Sequence, residues 1–451
     1  MSDYGALSLL PTTLVVGLAL WSRRTIESLL AGSILGLLII APDAPLTLMS
    51  ELALEVMVNE TVAWIILVCG LMGSLIALFL RTGAVQAFTQ TVVERAASRK
   101  ASLMVTWVLG LALFVDDYLN SITVGTAMRQ VTDRFRVSRE MLAYVVDSTA
   151  APVSVIIPIS TWAVFFGALL VDNGVAMPGE GVKTYIQAIP YMFYAWFAVA
   201  LVPLVISGVI PVLGPMRSAE QRAGKGLTIP PGAERIEASN LAIAPTDNAR
   251  GQARHFTVPL VLLAAATWWF DYDFLAGIFL TLAVYLPWVV LSRRLNVEET
   301  TEAMLNGFKS MIPPLAVLVC AFLLNAVNQR LGLTEFVISA IGPHVSAGML
   351  PVVVFLSMGL LSFATGSNWG VFVIVLPIVV SLTESLGADM TLMIGATLSA
   401  STFGSHACFY TDATVLTAQA CGTTPYQHAI TQLPFALCAA TAAALAYLLL
   451  G

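Results

Sequence analysis

Charge is what this chain lacks most. Of its 451 residues only 11% are Asp, Glu, Lys or Arg, while 58% are hydrophobic, and the apolar runs recur from end to end. A soluble core cannot absorb runs of that length, so the composition excludes an ordinary globular domain. A closed β-barrel would show alternating segments of about ten residues, whereas these runs are continuous. The expected fold class is therefore an all-α polytopic membrane protein with about 10–11 transmembrane helices.

Other absences narrow the function. The five cysteines, Cys69, Cys320, Cys408, Cys421 and Cys438, lie in or beside apolar segments without CxxC spacing, so they read as small buried hydrophobes. No GxxxxGKS or GxxxxGKT loop occurs, which argues against direct use of ATP. No pairing of nucleophile and base and no metal-ligand spacing marks an enzyme, and no cofactor is expected. The net charge of −6 gives no reason to expect a nucleic-acid partner, because basic residues in such a chain report topology. A basic region ahead of the first apolar run is missing too, and Arg23 and Arg24 follow that run, which predicts an uncleaved first helix.

The basic residues that are present set the topology. The polar linker at 214–255 carries Arg217, Arg222, Lys225, Arg235, Arg250 and Arg254, which places it in the cytoplasm. Before it come spans near 6–21, 25–41 and 62–80, an acidic segment at 43–60 assigned to the outside, and a short surface helix at 83–95. Segment 101–128 has basic clusters at both ends, which one crossing cannot satisfy but a re-entrant hairpin can; its tip is FVDDYLNS at 114–121. Segment 140–171 reads as a discontinuous helix broken at DSTAAPV (147–153), where Pro152 and, beyond it, Pro158 remove backbone donors, and a span near 186–213 follows. After the linker the order repeats: 257–270, 274–291, 311–329, an amphipathic stretch at 334–345, a second hairpin at 348–380 around TGSNWG, a broken segment at 390–420 and a last span at 431–450. Residues 1–213 and 256–451 are thus expected to be inverted repeats, an architecture of secondary transporters.

An acid at membrane depth is a candidate ion or proton site. Asp116 and Asp117 end the apolar run 101–115, and on a regular helix they point about 100° apart. At least one is expected to carry the ion or proton, with helix capping as the structural alternative. Asp147, with Ser148 and Thr149, is a candidate cation ligand, or else a structural acid at the half-helix. Asp412 in the second break has the same two readings. Asn120 and Ser121 offer neutral oxygens, or satisfy the hairpin backbone. Asp116, Asp117 and Asp147 are the candidate sodium ligands. His406 is a candidate proton relay or a hydrogen-bonded structural histidine. Thr365, Ser367, Asn368, Ser405, His406 and Thr411 are the candidate substrate contacts. His255, His344 and His428 fall near segment ends and receive no role.

The stretch FVDDYLNSITVGTAMRQVTDRFRVSREMLAYVVDSTAAPVSVIIPISTW (114–162) resembles the signature of the NhaC family of sodium/proton antiporters, within the wider ion transporter superfamily. FATGSNWGVFVIVLPI (363–378) and FGSHACFYTDATVLTAQACG (403–422) are similar to its second signature. The resemblance implies a two-hairpin inverted-repeat fold, a homodimer, and a scaffold with a moving transport domain. One departure stands out: Ser405 occupies a position where the family typically has an acid, while His406 and Asp412 are retained.

Two functions follow. The first is secondary active exchange of sodium for protons by an elevator-like movement, in the lipid bilayer of a bacterial inner membrane. The second is sodium-coupled transport of a small organic acid or amino acid, favoured by Ser405, His406, Tyr410 and Asn368 where the double Asp favours the first.

Overall fold

The computed structural model describes residues 4–22, 25–93, 97–234, 252–271, 273–333, 336, 340, 345–365, 369–409 and 411–451. Among them lie twenty-two α-helices and no strand. Ahead of the linker these are α1 (Leu9–Ser22), α2 (Thr25–Ile40), α3 (Pro45–Val58), α4 (Glu60–Arg81), α5 (Ala84–Val93), α6 (Arg99–Ala112), α7 (Asp117–Arg134), α8 (Arg139–Ser148), α9 (Ala151–Ile156), α10 (Thr161–Asp172), α11 (Gly181–Ala188) and α12 (Phe193–Ser207). The linker begins with α13 (Gly214–Gly224). Beyond it come α14 (Arg254–Trp269), α15 (Phe274–Leu291), α16 (Val297–Ser310), α17 (Ile312–Leu331), α18 (Leu350–Thr365), α19 (Trp369–Leu386), α20 (Met390–Ala407), α21 (Asp412–Cys421) and α22 (Pro425–Leu450).

Among the described residues, four helical stretches are long and apolar enough to cross a membrane unaided: Val62–Arg81, Arg139–Asp172, Phe274–Leu291 and Pro425–Leu450. A fifth arises if Gly181–Tyr191 and Phe193–Ser207, bent by 55°, count as one. Several helices open on a side-chain cap. Asp116 Oδ1 accepts from Leu119 N at 3.0 Å and opens α7; Ser138, Ser160 and Thr411 open α8, α10 and α21 in the same way. Such caps replace the intrahelical partners that the first amides lack, which an apolar setting makes obligatory.

The break expected at 147–153 is present, with α8 ending at Ser148 and α9 resuming at Ala151, Pro152 standing in its first turn where a missing amide costs nothing. A further interruption at 157–160, between α9 and α10, was not expected. Neither was α16, whose sequence VEETTEAMLNGFKS is too polar to read as a span and falls in a gap between expected segments. Its start is fixed by a reciprocal cap: Glu299 N donates to Asn296 Oδ1 at 2.8 Å and Asn296 N to Glu299 Oε2 at 2.9 Å. The amphipathic stretch expected at 334–345 lies largely outside the described residues.

Two groups of helices can be traced through one continuous core. In one, α2 packs between α1 and α17, and α4 packs on α15 and α16. In the other, α7 runs beside α21, and α8, α12, α20 and α22 surround the α8 break, with α18 against α20. The linker belongs to the second: Arg222 Nη2 donates to the fully buried Glu140 of α8 at 2.7 Å, and Glu220 accepts from Ser138 N at 2.9 Å while pairing with Arg99.

The crossing of α4 and α16 is a backbone contact. A Cβ on Gly307 would lie 2.3 Å from Gly73 O, and Ser74 Oγ donates to Met304 O at 2.8 Å. Gly307→Ala is expected to destabilise by about 1–3 kcal/mol, because the helices must part. A lowered melting temperature in detergent checks it, with Gly224→Ala as the control, since no atom lies within 4 Å of a Cβ there.

Candidate functional site

The centre of the site is Asp147, 2% exposed, one residue before the end of α8. A carboxylate so placed needs partners. They come from α22, at the other end of the chain: Gln432 Nε2 donates to Asp147 Oδ2 at 2.6 Å, and His428 Nε2 lies 3.2 Å from the same oxygen. Four residues separate His428 from Gln432, so both face the same side of α22. Gln432 Nε2 also reaches the His406 carbonyl at 2.5 Å, tying the end of α20 to this group. The role withheld from His428 in the sequence is therefore corrected: it is fully buried against the central acid.

His406 approaches the same oxygen of Asp147. Its Nε2 lies 3.1 Å from Ser148 Oγ and 3.9 Å from Asp147 Oδ2, and its Nδ1 lies 2.6 Å from Tyr194 OH on α12. One ring nitrogen must accept and the other donate when the imidazole is neutral, so Ser148 and Tyr194 together set its tautomer. Ser405, next to His406, is 1% exposed.

The α7 start joins this group through Asn120. Its Nδ2 donates to Gly110 O and to Thr149 O, both at 2.7 Å, which leaves Oδ1 buried without a hydrogen-bond partner. The Thr149 hydroxyl turns back to Val145 O at 2.9 Å, so this residue contributes its carbonyl to the junction. Ser121 Oγ accepts from Thr417 Oγ1 of α21 at 2.9 Å. Asp116 performs the capping role: one oxygen holds Leu119 N and the other accepts from Thr161 Oγ1 at 3.3 Å. Asp117, 3% exposed, opens α7 beside it. In the second break Thr411 caps α21, and its hydroxyl lies 2.7 Å from Thr414 Oγ1.

Three of the four polar interruptions, 114–121, 147–153 and 403–414, are thus linked by hydrogen bonds. The fourth, at 365–370, is not described: Ser367 and Asn368 lie outside the described residues, as do Tyr410 and the side chains of Thr365 and Asp412. Among the described residues no three His, Cys, Asp or Glu side chains converge as a metal site. Sequence reasoning missed His428, Gln432 and Tyr194. The pair at 428 and 432 had one signal, two polar side chains at i, i+4 in an apolar helix; Tyr194 had none.

Comparison with known proteins agrees with a transporter. An uncharacterized protein of Haemophilus influenzae is 26% identical over 484 residues, 98% of this chain and 90% of its own length. The solved structure of Neisseria gonorrhoeae MtrF, a study of which describes a class of antimetabolite efflux pumps, superposes with a TM-score of 0.59 at 14% identity, over 91% of this chain and 85% of that one. The YdaH transporter of Alcanivorax borkumensis gives a TM-score of 0.49 at 15% identity, over 90% of this chain and 89% of that one. The likeness to MtrF establishes an overall fold shared with a transporter. The family model for the Na+/H+ antiporter family matches residues 177–451, which include α12, α20, α21 and α22 with Tyr194, His406, His428 and Gln432. That match spans more than half of the chain, and the chain belongs to the Na+/H+ antiporter family.

Proposed function

We propose that the chain exchanges sodium for protons across a bacterial inner membrane. The observation that carries the reading is Asp147: a buried carboxylate at a helix break inside an apolar stretch, bonded to side chains from the opposite end of the chain. A charge there is costly and is retained for ion or proton movement. One oxygen of Asp116 caps α7 and the other accepts from Thr161 of α10, a structural use of both, and we assign the exchangeable charge to Asp117 and Asp147. A carboxylate binding sodium gives up its proton, and one holding a proton cannot serve the cation equally well; that exclusion couples the two fluxes. Asn120 Oδ1, Ser121, Ser148 and the Thr149 carbonyl supply the neutral oxygens that a hard cation needs beside an acid.

The wider architecture belongs to the same proposal. Residues 1–213 and 256–451 act as inverted repeats, with re-entrant hairpins at α6 to α7 and α18 to α19, and α7, α8, α20 and α21 move as a unit against α2, α4 and α16 in a homodimer. The extended helical breaks and the two groups of helices support this division.

A second reading is sodium-coupled movement of a small organic acid or amino acid. It is favoured by Ser405, His406 and Tyr194, which give the second break a neutral hydrogen-bonding surface where an acid would be expected. The efflux activity described for MtrF belongs to that protein.

In proteoliposomes with an imposed pH gradient, adding sodium is expected to move protons without any organic solute. Asp147→Asn and Asp117→Asn should each lower the rate by at least about 100-fold. Proton movement that begins only once a carboxylate or amino acid is supplied would favour the second reading. Gln432→Leu strips a donor from Asp147 and from the His406 carbonyl, at about 1–3 kcal/mol per unmet buried group. A fall in melting temperature together with a raised KM for sodium checks it; an unchanged melting curve would show that the bonds contribute nothing.

A further inference from the structure

The helix ends on the linker side hold a group that the exchange reading does not use. Arg139 is among the largest fully buried side chains, 2% exposed. Its Nε and Nη2 donate to Asp133 Oδ1 and Oδ2 at 2.8 and 2.6 Å, and its Nη1 donates to Cys421 O at 2.9 Å. Asp133 is in the last turn of α7, Cys421 is the last residue of α21, and Arg139 is the first residue of α8. One guanidinium therefore joins the ends of three helices. The opposite ends of the same helices carry Asp117 and Asn120, then Thr411 with Asp412, then Asp147 and Ser148.

The chemistry suits the place. A planar fork matches a carboxylate at two points and retains a donor for a third partner, and a cation at the end of α21 meets the unsatisfied carbonyls and negative partial charge of that terminus. Along the seam between α7 and α21 there is no slack. Thr417 donates to Ser121, and a Cβ on Gly125 would lie 3.0 Å from both Ala420 Cβ and Cys421 Sγ. Eight residues of α-helix, about 12 Å, separate Arg139 from Asp147.

We propose that Arg139 is a positioning residue, which holds α7, α8 and α21 in one register so that their polar ends form a single cation site and shift together. Its transport consequence rests on the sodium/proton reading; the register itself does not.

Lysine keeps the charge but cannot fork onto Asp133 while reaching Cys421. Arg139→Lys is expected to raise the KM for sodium about tenfold, with the maximal rate per folded protein within about twofold. An unchanged KM, or a loss confined to the yield of folded protein, would overturn the proposal. The register is read separately in a protein with Cys69, Cys320, Cys408 and Cys438 replaced by Ser and Gly125→Cys placed beside Cys421, a pair within disulfide reach. Oxidation should join α7 to α21 without halting transport, and Arg139→Lys should slow the joining by about tenfold. Equal joining rates with Arg and Lys would refute the clamp, and transport that stops on joining would refute the shared movement. Should the unaltered protein show no sodium-linked proton movement, the exchange reading fails by itself and the joining rates still decide the clamp.

Discussion

A carboxylate surrounded by apolar helices is tolerable only when the surroundings are built around it, and Asp147 imposes that demand here. Its side-chain partners Gln432 and His428 lie outside its own helix. They come from α22, and Gln432 then binds the end of α20 with the same nitrogen, while His406 reaches Ser148 and Tyr194. The close approach of α8, α12, α20 and α22 follows from satisfying this one group. In an apolar medium the alternative is a bare charge, which costs more than the conformational entropy of ordering its partners.

The interruptions follow the same logic at the level of the backbone. Every broken helix exposes amides and carbonyls that lipid cannot satisfy. The chain answers with a side-chain cap at four restarts, Asp116, Ser138, Ser160 and Thr411, and with Pro152 in the first turn of α9. Polar side chains inside apolar segments therefore bond either to the backbone or to one another. Asp116 and Thr411 cap helices, whereas the Asp147 and His406 side chains bond to other side chains.

That separation marks the limit of what the residues alone disclosed. The apolar runs and the break at 147–153 were legible, because each rests on local composition. The split between Asp116 and Asp117 was legible only as a pair of alternatives, since adjacent acids at a helix start look alike until the capping amide is located. His428 looked idle at 428 because its partner is 281 residues away in sequence. The helix at 297–310 escaped for the opposite reason: its polarity hid it from a search for spans, although Asn296 and Glu299 together form a capping box in plain sequence.

Asn120 shows how backbone geometry can govern electrostatics. Its amide nitrogen faces two carbonyl oxygens, of Gly110 and Thr149, each 2.7 Å away. Only the NH2 end of a carboxamide can occupy that position, so the side-chain oxygen has a single permitted direction. An aspartate of the same shape would set a negatively charged oxygen against two carbonyl dipoles with no proton between them. The count of acids in this region is thus guarded by two peptide groups that belong to neither Asp117 nor Asp147, and an isosteric change of one atom is denied by the fold itself.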